Sequence, residues 1–131
     1  MPQATDLVIQ NAAAVNKTFT LINPAAGDNA IATWWLREGT INGAFPKITI
    51  LARATGNNSR KSIIKLDVPY SYTDTTTSLT KVGSAISAVV HVTVPNDFPE
   101  SLKADAVAYL KNTIANVAIV QAVMKDGVPA T

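Results

Sequence analysis

The residues that could do chemistry are concentrated in one stretch, KITILARATGNNSRKSIIKLDVP at positions 47–69. Lys47, Thr49, Arg53 and Thr55 fall on odd positions of its first arm, and Lys61 and Lys65 on odd positions of its second. Cations and hydroxyls gathered on one surface can contact a polyanion, and they can equally form an ordinary solvated face. Leu51 and Ile63 interrupt the set, so the face is mixed. Acid–base chemistry has one candidate: His91, the only histidine, could meet Asp67 if their strands align. With no nucleophile beside it that pair reads as incidental, and no catalytic residue is assigned. Asp67 and Asp74 lack the spacing of a calcium loop, so neither a metal site nor a cofactor is expected. There is no cysteine, hence no disulfide and no thiolate chemistry.

The elements that must carry these residues follow from periodicity. In 47–55 the odd residues alternate with Ile48, Ile50, Ala52 and Ala54; in 61–68 they alternate with Ser62, Ile64, Leu66 and Val68. A period of two marks strands with one covered face, and Gly56 to Ser59 supplies the turn of an antiparallel hairpin. Ahead of it, Leu7 and Ile9 alternating with Asp6 and Gln10, and the run Thr18 to Ile22, suggest a short hairpin closed by Pro24 and the Gly27 to Asn29 turn. IATWWLREG is a further strand, whose adjacent Trp34 and Trp35 must face opposite ways. The polar stretch 70–84 is a long loop, or two strand ends with a tip between them, and strand signal returns from Ala85 to Val94. A period near 3.6 appears only after Pro95, with Asn96 or Asp97 as cap, a break expected near 112–116, and a stop at Gly127 and Pro129.

Strands first and helices last predict an α+β fold in a single domain, 1–131: an N-terminal hairpin plus about a five-stranded antiparallel meander, then two C-terminal helices. Hydrophobic residues at 47% argue against disorder, and a net charge of +2 is too small by itself to mark a nucleic-acid binder. No run approaches a membrane span, and the amino terminus does not read as a signal peptide. The apolar even-numbered face poses a geometric problem. A helix is about 10 Å across, whereas five strands at roughly 4.8 Å spacing are much wider. A second copy of the chain, joined edge to edge, would cover it, so an obligate homodimer is expected.

The hairpin 47–69, the later VVHVTVP, the small-residue helix and the closing KDGVP resemble the coat proteins of levivirus-type single-stranded RNA bacteriophages. The resemblance spans nearly the whole chain and is strongest over 47–69. It implies an intertwined dimer with a continuous ten-stranded sheet, closing with other dimers into an icosahedral shell, commonly T=3 with about 180 copies. It also implies a virion protein assembled in the bacterial cytoplasm. The inner sheet face would package genomic RNA, and in some members that face represses replicase translation. Carried over residue by residue, the RNA face would comprise Lys47, Thr49, Arg53, Thr55, Ser59, Lys61 and Lys65. On the neighbouring strand it would add Ser87, Val89 and His91.

Departures bear on that face. Where the family's best-known pattern has a tyrosine and an asparagine on the last strand, this chain has Ser87 and Val89. Leu51 and Ile63 stand where hydroxyls would meet base edges, and no aromatic stacking platform is evident. Generic RNA packaging is therefore expected over operator recognition. The alternative is a dimeric RNA-binding regulator that forms no shell. The segment 70–84 corresponds to the loop that meets its copies around the shell's symmetry axes.

Overall fold

The computed structural model describes residues 3–39 and 41–131, which form two compact units divided between Pro95 and Asn96. The first unit is a six-stranded antiparallel sheet in which each strand pairs with the next in sequence. Its strands are β1 (Leu7–Gln10), β2 (Asn16–Asn23), β3 (Ile31–Trp35), β4 (Lys47–Ala54), β5 (Ser59–Thr73) and β6 (Thr80–Pro95). β2 belongs both to the leading hairpin and to the meander β2–β6, so the two expected parts share one strand.

The alternation of 47–68 becomes a two-faced ribbon. Ile48 lies opposite Leu66, Ile50 opposite Ile64 and Leu51 opposite Ile63, so each face keeps its own set of side chains. The turn between β4 and β5 places Asn58 at φ 55°, a left-handed conformation that asparagine tolerates. It closes by a bond from the Thr55 N–H to the Ser59 carbonyl at 2.9 Å.

The core lies on the face that carries the even-numbered residues of β3–β6 and the odd-numbered residues of β1 and β2, and it is confined to one half of that face. Trp34, Ala32, Ile48 and Phe19 are buried together, with Ala4, Leu7 and Leu21 packed against them. The leading residues thus form a lid, tied down where the Trp34 indole Nε1–H donates to the Thr5 carbonyl at 2.8 Å. Toward β5 and β6 the same face is bare: Ile64 and Val68 are each 38% exposed and Ile86 is 73% exposed. Beside the lid an open groove of about 640 Å³ is lined by Leu7, Ala32, Trp34, Ile50 and Ala52, among others.

The stretch 70–84 is two strand ends around a tip at 74–79, with β6 beginning at Thr80 and not at Ala85. The ladder continues through Pro69 because the register shifts between Pro69 and Ser71. The extra residue is on β6, where Gly83 and Ser84 oppose Tyr70, next to the proline that lacks a donor. There the Tyr70 ring lies against Gly83, where a β-carbon would collide with it. Any side chain at Gly83 must therefore push the ring aside.

Asp74 organises the tip. Its carboxylate takes hydrogen bonds from Lys81 Nζ at 2.8 Å and the Thr76 N–H at 2.8 Å, while its carbonyl accepts from the Ser78 N–H. Lys81 first, then the Thr76 amide, hold the Asp74 carboxyl below the ordinary carboxylate range. A depressed carboxylate stabilises the fold above its unfolded pKa, and that contribution disappears as pH falls through its folded value. Protection of the Thr76 amide, taken as its exchange rate relative to an unstructured chain at the same pH, should therefore hold from neutral pH down through the usual carboxylate range and fall only below it. Protection lost at or above that range would refute Asp74 as the clasp of the tip.

The second unit contains α1 (Glu100–Ile114), a π-helical turn at Val117–Gln121 and α2 (Ala122–Asp126). The N-cap position expected for Asn96 or Asp97 falls instead to Pro99. Pro99 occupies the N-cap without a side-chain hydrogen bond, because Asn96 and Asp97 fall in the turn that leaves β6. The break occurs where expected. The Asn116 side chain accepts from the Ile119 N–H at 2.9 Å, and its carbonyl accepts from the Gln121 N–H at 2.9 Å. The helix axis bends by 48° across this point. Gly127, at φ 67°, ends α2 with its N–H on the Val123 carbonyl. No residue of α1 is buried; Leu102, Val107 and Tyr109 are all exposed. Among the described residues no single helix is long and apolar enough to cross a membrane.

Candidate nucleic-acid interface

The odd-numbered face of β3–β6 is arranged in cross-strand rows. One runs Trp35, Lys47, Asp67, Ser87; the next Thr33, Thr49, Lys65, Val89. A third runs Ile31, Leu51, Ile63, His91, and the last Arg53, Lys61, Thr93. Lys47, Thr49, Arg53, Lys61, Lys65, Ser87, Val89 and His91 therefore share one surface. The apolar third row separates the Lys65 row from the Arg53–Lys61 pair.

Electrostatically the decisive pair is Arg53 and Lys61, which stand directly opposite each other. Like charges at cross-strand distance repel. Among the described residues no carboxylate forms an ion pair with Arg53, Lys61 or Lys65. The four ion pairs engage other cations: Lys17 with Glu38, Arg60 with Asp28, Lys81 with Asp74 and Lys103 with Glu100. Arg60 is the informative contrast. It precedes Lys61 and so points to the opposite face, where its guanidinium grips both oxygens of Asp28 at 2.6 and 3.2 Å. That bond lowers the Asp28 pKa and raises that of Arg60. On the odd-numbered face, by contrast, Arg53, Lys61 and Lys65 have no carboxylate in ion-pair contact among the described residues.

The other candidates are placed less freely. Ser59 is buried, and its hydroxyl and that of Thr55 bond each other at 2.6 Å, so both serve the turn. Ser87 donates its hydroxyl hydrogen to Asp67. Asp67 is therefore engaged with Ser87 and not with His91, which lies opposite Ile63. His91 is four residues farther along β6 than Ser87, roughly 13 Å. The hypothetical acid–base pair is not assembled. Among the described residues no group of three His, Cys, Asp or Glu side chains could hold a metal ion.

Trp35 was not foreseen on this surface. Trp34 enters the core and Trp35 turns to the odd-numbered face, with Lys47 Nζ 5.1 Å from its ring centroid. The rule that adjacent strand residues face opposite ways was legible; the register that puts Trp35 beside Lys47 was not.

A family model described as levivirus coat protein matches residues 2–128. The chain belongs to the levivirus coat protein family. It is thus a structural capsid protein of the virion and not an enzyme. Solved structures show the same fold. The virus-like particle of bacteriophage NT-214 superposes with a TM-score of 0.83 at 21% identity, covering 99% of this chain and 100% of that one. That of Beihai levi-like virus 21 gives 0.80 at 19% identity, over 99% of each chain. The capsid protein of bacteriophage GA gives 0.69 at 20% identity, over 92% of this chain and 93% of that one. Among curated proteins no sequence matches. Within this coat protein the six strands and two helices match the α+β reading of the sequence.

Proposed function

We propose that the chain acts as one coat-protein domain that forms an obligate homodimer, builds an icosahedral shell of about 180 copies and packages single-stranded RNA against its odd-numbered sheet face. What supports this is the division of the sheet. One face carries Arg53, Lys61 and Lys65 without carboxylate partners, while the other leaves Ile64, Val68 and Ile86 exposed. β6 ends the sheet and is sixteen residues long, so its outer edge offers a long row of unpaired backbone groups. Two copies joined at β6 would turn two five-stranded runs, β2–β6, into ten strands. The exposed apolar stripe of α1 and the bare half of the sheet are complementary in chemistry, and a partner's helix gives each a place to bury. RNA then neutralises the cations of the inner face. Assembly takes place in the host cytoplasm, where the packaged strand is made.

Size-exclusion chromatography with light scattering, recording absorbance at two wavelengths, tests the whole reading. The expected result is a megadalton peak rich in nucleic acid. A nucleic-acid-free peak near twice the chain mass of 13.8 kDa would overturn shell and packaging together and favour a regulatory dimer. Replacing 74–79 by an Asn-Gly turn should leave dimers that fold and bind RNA but make no particles. Normal particles from that variant would remove the tip from the shell contacts.

A further inference from the structure

The geometry points to Trp35 as a base-stacking residue, taking an unpaired nucleobase whose phosphate is held by Lys47. This inference deepens the RNA-packaging reading and rests on it. Trp35 faces the same side as Lys47, with which it is directly paired, and it is only partly buried. Phe45, itself buried, meets the Trp35 ring edge-on at 6.4 Å between centroids and 60° between planes. One edge of the indole is thus fixed by the body of the protein, which keeps the ring in a defined orientation before any ligand arrives. Thr33 and Thr49 pair with each other in the next row and set hydroxyl groups within reach of the edge of a stacked base.

In the free protein Lys47 holds its ammonium over the ring. A cation over an exposed ring is worth less than a stacked base. A nucleotide arriving at this site therefore displaces the ammonium from the indole, and the flexible lysine stem carries it to the phosphate. Ring and cation then act on one nucleotide. A duplex, whose bases are already stacked, offers the ring nothing; an unpaired strand offers a base of any identity, because every base has a π-face. The ligand class is single-stranded RNA bound with little sequence preference. The absence of an aromatic at Ser87 and Val89 does not leave the surface without a stacking group.

The two tryptophans make the test direct, since Trp34 is buried and donates to Thr5 while Trp35 is on the face. Coat-protein dimers, released from particles and freed of RNA, are titrated with a dye-labelled short oligoadenylate and with an abasic strand of equal length. Anisotropy reports binding and intrinsic fluorescence reports the indole. Oligoadenylate should quench part of the tryptophan emission, whereas the abasic strand should bind without quenching. Trp35→Ala should weaken oligoadenylate by about 5- to 150-fold and leave the abasic strand unaffected. Trp35→Phe, which keeps a ring, should retain most of the affinity and lose the quench. Arg60→Ala, a control on the opposite face of the sheet, should leave the quench intact. Oligoadenylate that binds without quenching would overturn the stacking role and leave the RNA face standing, and this comparison needs no variant. If neither strand binds, the RNA face itself fails.

Discussion

Replacing Trp34 by alanine is expected to cost about 3–5 kcal/mol of stability, the usual range for a buried tryptophan. The side chain is 5% exposed and sits at the centre of the cluster formed with Phe19, Ala32 and Ile48. Buried hydrophobic residues number only five among the described residues, so no second core can compensate. The variant also loses the bond from Nε1 to the Thr5 carbonyl, and with it the anchor that keeps the leading residues over β3 and β4. Against a total stability of about 5–15 kcal/mol this is a large fraction. Urea unfolding at one fixed protein concentration measures it, since association contributes to the apparent stability. Trp35→Ala is the matched control and should cost far less, because that ring is partly in solvent. A loss below about 1 kcal/mol for Trp34→Ala would mean the lid is not held by this residue.

Removing Arg53, Lys61 and Lys65 together, each to alanine, should produce the largest loss of RNA binding. If each neutralises one phosphate of a single strand, the slope of log K against log salt should fall by about 2. The single change Arg60→Ala should leave the slope where it was, because that guanidinium is committed to Asp28 on the other face. Stability should move the opposite way from binding. Arg53 and Lys61 repel each other across the ladder, so the triple variant should unfold no earlier than the parent protein. An unchanged slope in the triple variant would place the RNA elsewhere on the protein.

The hairpin 47–69 shows how far a sequence reaches. Alternation alone assigned Lys47, Arg53, Lys61 and Lys65 to one face and Ile48, Ile50, Ile64 and Leu66 to the other, and the ladder keeps both sets. The break in the helical tail was legible because one helix from 98 to 125 would be about 40 Å long, too long for a domain of this size; the structure adds that the Asn116 side chain opens the next turn. The end of α2 was legible because a glycine accepts the left-handed cap. These are local properties, decided within a few residues by backbone sterics and hydrogen bonding.

Tertiary structure decided what lies opposite what. A period of two tells which face a residue takes, yet says nothing of its cross-strand neighbour, which depends on connection lengths and bulges elsewhere. Hence Asp67 meets Ser87 and not His91, and Trp35 meets Lys47. The bulge at Gly83 and Ser84, opposite Tyr70, lets the β5–β6 ladder run on past Pro69, and this decides for two strand ends and a tip over the long loop that 70–84 also allowed. Asp28 and Arg60, far apart in sequence, find each other only once β3, β4 and β5 are in register. The chain's own residues determined the faces, the turns and the helix ends, because each needs only near neighbours. The fold determined the pairing of charges and rings across the sheet, because that needs every strand in place.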